Sequence, residues 1–236
     1  MTPATVHGRA PIRTGRSVTR LFRVTETTPP GATETRGEKK ERTRRAILDA
    51  ALRLSEQTGL VGLSLRQVAK EVGIVPTAFY RHFASIDELG LALVEESFTS
   101  LRAMIRDVRR GNPSLEQIVD RSVQVLDEHV RGQRAHFAFI ARERSGGSVP
   151  VRQAVRHEFA LFERELATDL ARLPMEHWSA EDLQVLSRLI VVAMVAVAEE
   201  ILESPEREGD AIRRRARTEL LIVIVGALNW RSRQPG

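Results

Sequence analysis

The segment from Thr77 to His82 contains side chains of the types that contact nucleic acid. Thr77 and Ala78 can contact the methyl group of thymine, and Arg81 can pair with guanine O6 and N7 or bind a phosphate. Tyr80 and His82 carry hydrogen-bond donors that suit phosphate oxygens. This set predicts a helix face that contacts double-stranded DNA.

Catalytic and metal-binding patterns are missing from the sequence. There is no cysteine, and the six histidines are scattered without a close pair such as HExxH. No Walker loop, dinucleotide fingerprint or nucleophile elbow occurs. Acidic residues such as Glu199 and Glu200 are explained as helix surface. We therefore expect a protein that is not an enzyme and holds no metal or cofactor.

A helix-turn-helix over residues 64–83 would hold the DNA-contacting face outward. The first helix has an inward apolar face at helical spacing, made of Leu65, Val68, Ala69 and Val72. Gly73 can end that helix in the left-handed conformation, and Pro76 suits the first position of the next helix. Phe79 and Phe83, four residues apart, face the core.

Helix signals continue along the chain, and no convincing strand is found. The capping-box pattern, Ser or Thr followed three residues later by Glu or Gln, occurs at Thr35, Ser64, Ser85 and Ser114, with a weaker start at Ser179. About nine helices are predicted, at roughly 36–58, 64–72, 76–83, 85–110, 114–131, 134–143, 149–173, 179–203 and 206–230. The predicted fold is all-α. Its parts are a basic arm (1–33), a helix-turn-helix domain (34–84) and a helical ligand-binding and dimerisation domain (85–236).

Positive charge is concentrated beside the helix-turn-helix. Residues 1–45 contain 11 basic and 4 acidic residues, whereas the rest of the chain contains 25 basic and 27 acidic residues. This placement favours a polyanionic partner, although a solvated basic tail has the same composition. No apolar run reaches the ~20 residues that span a bilayer, and the N-terminus lacks the apolar region of a secretory signal. We expect a cytoplasmic protein.

The run Phe79-Tyr80-Arg81-His82-Phe83 resembles the Leu-Tyr-x-His-Phe ending that is usual in the DNA-binding domain of the TetR family. The helix from Thr43 to Leu54 and the following Ser85-x-Asp87-Glu88-Leu89 are similar as well. Val75 and Thr77 depart from the Ser and Gly of many members. The resemblance implies phosphate contacts from Thr43, Ser64, Tyr80 and His82. The predicted DNA-binding residues are Thr43, Ser64, Arg66, Thr77, Ala78, Tyr80, Arg81 and His82.

A closer resemblance is to the FabR/DesT branch of that family, over about residues 38–230 and most strongly up to residue 90. Arg142-Glu143-Arg144-Ser145-Gly146 and Asp87-Glu88-Leu89-Gly90-Leu91 contribute to it. It implies a repressor of fatty-acid desaturase or lipid-synthesis genes whose operator binding is modulated by long-chain acyl-CoA. The alternatives are a TetR-like repressor of an efflux or degradation operon with another ligand, and a protein-interaction adaptor with a vestigial helix-turn-helix.

The two last predicted helices are too apolar to face water, which predicts a homodimer built as a four-helix interface. A dimer places two recognition helices on half-sites about 34–36 Å apart in a palindromic operator. The predicted interface residues are Leu186, Ile190, Val197, Ile201, Leu220, Ile224 and Leu228.

Bulky and adaptable side chains of the middle helices are ordinary core or, as the resemblance implies, the wall of an acyl-chain cavity. The apolar candidates are Phe98, Met104, Leu126, Phe137, Phe139, Ile140, Phe159, Phe162 and Met194. Arg142 and Arg144 could meet CoA phosphates. Alternatively, these arginines are salt-bridged to a partner such as Glu143 or Glu163.

Overall fold

The computed structural model describes residues 35–108, 115–172 and 178–231, and no strand occurs in these ranges. The helices are α1 (Arg36–Thr58), α2 (Leu65–Val72), α3 (Pro76–Phe79), α4 (Ile86–Val108), α5 (Leu115–Gly132), α6 (Arg134–Gly146), α7 (Val149–Leu170), α8 (Ala180–Glu203) and α9 (Gly209–Leu228), with a 3-10 helix at Glu206–Glu208. The all-α prediction is confirmed. The predicted arm of residues 1–33 and the predicted cap at Ser114 lie outside the described residues.

The predicted capping box at the start of α2 is confirmed. Ser64 Oγ accepts from the Gln67 N–H at 3.2 Å, and Gln67 Oε1 accepts from the Ser64 N–H at 2.8 Å. The weaker start predicted for α8 is also a cap, because Ser179 Oγ accepts from the Asp182 N–H at 3.1 Å. These bonds satisfy amides that the first turn of a helix leaves without helical partners.

The predicted box at Ser85 forms in a modified way. Ser85 Oγ accepts from the Glu88 N–H at 3.0 Å, but the Glu88 carboxylate accepts from the N–H of Ala84 rather than that of Ser85. The recognition helix also differs, since regular α-helix ends at Phe79 rather than at residue 83. The N–H groups of Arg81 and His82 instead bond to carbonyls three residues back, which gives a tighter turn.

Helix α4 connects the helix-turn-helix domain, α1 to α3, with the later helices. All of them share one continuous apolar core. Leu89 lies near the start of α4 and Phe98 near its middle, and both are fully buried. Gly90 allows a close approach to α4, because a Cβ atom there would overlap the Leu60 side chain and lie 2.8 Å from Val151 Cγ2. The described residues from Arg36 onward form one compact unit.

Candidate functional site

The turn between α2 and α3 determines the direction in which the chain leaves α2. It leads into residues 76–83, which we call the recognition segment. Gly73 ends α2 in the left-handed conformation, with φ of 72°, and the Ile74 N–H bonds back to the Ala69 carbonyl at 2.9 Å. This is a Schellman end, which glycine adopts without the steric cost of a Cβ atom. Pro76 then occupies the first turn of α3, as predicted.

Arg44 of α1 holds the far end of the recognition segment. Its Nη1 donates to the His82 carbonyl at 3.2 Å, and its guanidinium carbon lies 4.3 Å from the centre of the Phe83 ring. Phe79 and Phe83 are buried, as predicted, with ring centres 5.9 Å apart. The hydrogen bond and the cation–π contact together anchor residues 80–83 to α1. Nothing local in the sequence distinguishes Arg44, because it stands among several basic residues that suit a phosphate equally well.

Most of the predicted DNA-contacting residues are accessible from outside. Arg66, Thr77, Tyr80 and Arg81 are exposed, and Ala78 is half-buried against its neighbours. Tyr80 also packs edge-on against the buried ring of Phe79, with centres 6.2 Å apart. The phenol is therefore held in place while its hydroxyl remains reachable.

Two residues that are predicted to contact phosphate already donate their hydroxyl protons to acceptors within the chain. Ser64 Oγ donates to Gln67 Oε1 at 2.9 Å, and Thr43 Oγ1 donates to the Lys39 carbonyl at 2.9 Å. Phosphate oxygens only accept hydrogen bonds, so a direct contact requires each proton to leave its present acceptor. The contacts of Thr43 and Ser64 with phosphate stay predictions.

His82 is a neutral group within a basic surface. Burial lowers its pKa, and the positive charges of Lys40 and Arg44 lower it further. Its Nδ1 is buried and has no hydrogen-bond partner among the described residues. The imidazole is therefore neutral at physiological pH, and the positive charge of this surface comes from neighbours such as Lys39 and Lys40, which are exposed. The contact of His82 with phosphate stays a prediction.

A cavity of about 670 Å³ lies among helices α4 to α9, and its wall is almost entirely apolar. Its size is within the range of small-molecule sites, about 300–1,000 Å³. Eight of the eleven residues predicted for a pocket line it: Met104, Leu126, Phe137, Ile140, Arg144, Phe159, Phe162 and Met194. The part of the wall formed by Leu170 was missed, although its spacing from Phe162 and Leu166 along one face of α7 is helical.

Three residues predicted to line a pocket lie elsewhere, so that prediction is wrong for them. Phe98 is one layer behind the wall, with its ring edge-on to Phe159 at 5.2 Å. Phe139 is buried but does not reach the cavity. Arg142 is exposed and turns toward the end of α1, where a Cβ atom at Gly59 would lie 3.2 Å from its Cδ.

The charged groups of the cavity wall form two ion pairs. Arg144 Nη2 lies 2.8 Å from Glu199 Oε1, and Arg172 Nη1 lies 3.3 Å from Asp169 Oδ1. The salt-bridge alternative for Arg144 therefore describes the structure, with Glu199 of α8 in place of Glu143 or Glu163. Glu199 was interpreted as helix surface because its partner is 55 residues away, and Asp169 was not singled out because it lies near a helix end without a recognisable motif.

Most of the predicted dimer residues are buried within a single chain, which corrects that prediction. Leu186, Val197, Ile201 and Leu220 are each at most 5% exposed, so a second copy cannot reach them. Ile190 and Ile224 are half-buried, and both line the cavity together with Leu186, Leu220 and Leu228. Only Leu228, 58% exposed, is on the outer surface.

Another face of the same two helices is exposed and apolar. On α8 it consists of Val185, Leu189 and Val192, which are 54–57% exposed and follow helical spacing. On α9 it includes Ile222 and Val225, which are 67% and 55% exposed. We call these five residues the α8–α9 outer face; such an apolar patch is typical of a protein interface.

Two further classes of site do not occur in the described ranges. No group of three or more histidine and acidic side chains there could hold a metal ion. In the same ranges, no helix is long and apolar enough to cross a membrane.

Solved structures share this arrangement of helices. A transcriptional regulator from Pseudomonas aeruginosa PAO1 superposes with a TM-score of 0.66 at 14% identity, covering 80% of this chain and 93% of that chain. A TetR-family regulator from Streptomyces coelicolor gives 0.64 at 18% identity, with coverages of 80% and 97%. A TetR-like regulator from Rhodococcus sp. RHA1 gives 0.62 at 20% identity, with coverages of 78% and 96%. At these identities the likeness shows the fold alone.

Two family models match the sequence in the order of the structural parts. The model described as bacterial regulatory proteins, tetR family, matches residues 47–93. The model described as tetracyclin repressor-like, C-terminal domain, matches residues 115–226. Together they cover about two thirds of the chain, and the first includes the helix-turn-helix. The protein therefore belongs to the TetR family of bacterial transcriptional regulators, which bind DNA and are not enzymes.

Proposed function

We propose that this TetR-family regulator is a homodimeric repressor of fatty-acid desaturase or lipid-synthesis genes, and that a long-chain acyl-CoA in the cavity modulates its operator affinity. The observation that carries the ligand class is the apolar wall of a cavity large enough for a small molecule. Aromatic and methionine side chains adapt to a flexible chain, and burial of its methylene groups supplies affinity at about 0.8 kcal/mol each.

Arg172 is the wall residue that best suits the CoA end of such a ligand. Its side chain is 76% exposed, whereas that of Arg144 is 37% exposed and pairs with Glu199. A solvent-facing guanidinium can exchange one partner for another with little loss, since exposed ion pairs contribute only about 0–1 kcal/mol. A phosphate at Arg172 would therefore compete with Asp169, while the acyl chain occupies the apolar interior.

The ion pairs also favour a second candidate, a repressor of an efflux or degradation operon with an uncharged apolar ligand. Arg144 and Arg172 each face a carboxylate already, so the wall has no excess of positive charge for a phosphate. The two candidates differ in the ligand headgroup and share the cavity and the DNA-binding domain.

The homodimer is expected to form through the α8–α9 outer face. Its five aliphatic side chains are exposed in a single chain, and their burial against a second copy would remove them from water. The two recognition segments would then contact two half-sites of one operator.

The decisive experiment measures fluorescence-anisotropy binding to the protein's own upstream DNA and to a scrambled duplex at one fixed salt concentration. Titrations are run alone, with palmitoyl-CoA and with free CoA. Specific binding that palmitoyl-CoA alters and free CoA does not would support the proposal. Specific binding that ignores palmitoyl-CoA would leave the second candidate, and equal weak binding to both duplexes, persisting with genome-selected sites, would favour an adaptor role.

A cavity-filling variant links the response to the cavity. Ala198 lies in the cavity wall on α8, so Ala198→Phe places a ring in the space of the ligand. Ala211 is exposed at the start of α9, and Ala211→Phe is the matched surface control. We expect the first variant to lose at least tenfold in palmitoyl-CoA affinity and the second to bind as the parent does. Equal affinity of both variants would place the ligand outside the cavity.

A further inference from the structure

Helix α6 presents two adjacent faces to two different parts of the molecule. Phe137, Ile140 and Arg144 line the cavity. His136 and Glu143 lie on the neighbouring face. They are seven residues apart, which places them two helical turns apart on the same side of α6. His136 Nδ1 lies 2.9 Å from Ser97 Oγ of α4, and Glu143 reaches the end of α1. A displacement of α6 by a cavity occupant would therefore move both contacts.

Glu143 is a buried carboxyl group that bonds to the backbone where α1 ends. Glu143 is only 1% exposed, and its Oε1 accepts a hydrogen bond from the Leu60 N–H at 2.8 Å. Its Oε2 is buried and has no hydrogen-bond partner among the described residues. Burial raises the pKa of this group, although the Leu60 amide and Arg142 oppose the rise. A half-satisfied buried carboxyl weakens the fold relative to an apolar residue, so stability alone does not account for it.

The point that Glu143 holds is the junction between α1 and α2 of the DNA-binding domain. Leu60 follows Gly59, which ends α1 with φ of 69°, and precedes the capped start of α2 by only a few residues. Its side chain is also confined by α4 at Gly90. Helix α1 in turn holds the recognition segment through Arg44. A shift at Leu60 would therefore displace the surface that contacts DNA.

The local sequence makes room for this contact. A Cβ atom at Gly147 would lie 2.6 Å from Glu143 Oε2 and 2.8 Å from the Glu143 carbonyl oxygen, so the carboxyl fits only because residue 147 has no side chain. The adjacent Arg144 points to the cavity and pairs with Glu199 of α8. One turn of α6 thus touches the cavity and the end of α1 through consecutive residues.

We propose that Glu143 is a positioning residue that holds the DNA-binding domain against α6 and transmits the occupancy of the cavity to the turn between α1 and α2. The transmission part rests on the proposed function, since it requires a ligand in the cavity. The holding part does not, because the bond to Leu60 exists without a ligand.

The test compares Glu143→Gln, which keeps an acceptor oxygen and the volume, with Glu143→Leu, which removes the acceptor. Operator Kd is measured on a duplex selected by the parent protein from a random pool, with and without palmitoyl-CoA, and amide exchange is followed at Leu60. We expect Glu143→Gln to keep the parent values. Glu143→Leu should exchange faster at Leu60, bind the operator about tenfold more weakly and lose most of the ligand effect, which is typically about 5–150-fold.

Each outcome separates the two proposals. If Glu143→Leu keeps the parent Kd and the parent exchange at Leu60, the positioning role is overturned whatever the ligand does. If the parent ignores palmitoyl-CoA while Glu143→Leu weakens operator binding, the acyl-CoA proposal fails and the positioning role stands. If the parent responds and Glu143→Leu responds by the same factor, transmission through Glu143 is overturned.

A second variant covers the case in which Glu143→Leu does not fold. Gly147→Ala leaves Glu143 in the chain, but the added methyl carbon would lie 2.6 Å from Glu143 Oε2, so the carboxyl group must shift. It should weaken the Leu60 contact and reproduce the faster exchange and the loss of operator affinity. Parent-like exchange and Kd in a folded Gly147→Ala protein would overturn the positioning role.

Discussion

Replacing Arg44 by lysine separates a phosphate contact from a positioning contact. Arg44→Lys keeps one positive charge at the same place in α1 but loses the planar guanidinium that lies over the Phe83 ring while donating to the His82 carbonyl. If Arg44 only attracts DNA, lysine serves nearly as well. If it holds residues 80–83 in place, lysine does not.

The expected magnitude follows from the two contacts of the Arg44 side chain. A hydrogen bond to a charged group contributes about 1.5–3 kcal/mol, and a cation–π contact about 0.5–2 kcal/mol. Arg44 is half-buried, and lysine can still reach a carbonyl, so we expect about 1–2 kcal/mol of the sum to be lost. Because the operator binds only the ordered segment, operator affinity should fall by about 5–30-fold.

The assay measures operator Kd for the parent and Arg44→Lys at several salt concentrations. The slope of log K against log salt reports how many phosphates the protein neutralises, and it changes by about 0.9 when one phosphate is no longer neutralised. For Arg44→Lys we expect weaker binding with an unchanged slope. The control is Arg53→Lys, at an exposed position of α1 whose ion pair with Glu71 a lysine can also form, and it should bind as the parent does.

Parent-like affinity of Arg44→Lys would refute the positioning role of Arg44. So would a loss of affinity accompanied by a proportionate change in salt slope, because that result would identify Arg44 as a direct phosphate contact. Circular dichroism at the assay temperature checks that both variants remain folded.

Three further predictions concern assembly, pH and the turn. Leu189→Glu, on the α8–α9 outer face, should convert the dimer to monomer in light scattering, whereas Val61→Glu, at an exposed apolar residue outside that face, should not; a dimeric Leu189→Glu protein would exclude this face. Because burial raises the folded-state pKa of Glu143 above its ordinary value of 4.5, its contribution to stability is present at low pH and is lost as pH rises through the folded pKa. The relevant pH interval lies between the pKa of Glu143 in the unfolded chain and its higher pKa in the folded protein. Across it, the unfolding free energy of Glu143→Gln should rise relative to that of the parent, and parallel pH profiles of the two proteins would contradict this reasoning. Gly73→Ala should lower the unfolding free energy by about 1–2 kcal/mol because of its positive φ, whereas Gly132→Ala, helical and equally uncrowded, should not lower it; equal urea midpoints for the two variants would contradict the turn assignment.

Local signals in the sequence determined the helices and the DNA-binding motif. The capping box at Ser64, the left-handed Gly73 and the first-turn Pro76 each depend on neighbours within a few residues, and the structure contains all three. The apolar spacing of Phe79 and Phe83 likewise predicts burial, since a helix turns by about 100° per residue. These features needed no knowledge of the rest of the chain.

Tertiary packing decided which side of each apolar helix faces the core. Helix α8 is apolar on most of its surface, so the buried series through Leu186 and the exposed series through Leu189 have the same spacing and composition. A periodic pattern cannot choose between two such faces. The choice depends on the position of α5, α7 and α9, and for this reason the predicted dimer residues proved to be core.

The polar contacts that connect the parts of the molecule also depended on the tertiary structure. Arg44 meets His82 across 38 residues, Arg144 meets Glu199 across 55, and Glu143 meets Leu60 across 83. Charged side chains are common on the long helices, and nothing in their local sequence specifies a distant partner. The sequence alone therefore determined the helix-turn-helix and the cap of its first helix, whereas folding decided which residues line the cavity and which connect it to the DNA-binding domain, because those pairings require helices far apart in the chain to pack together.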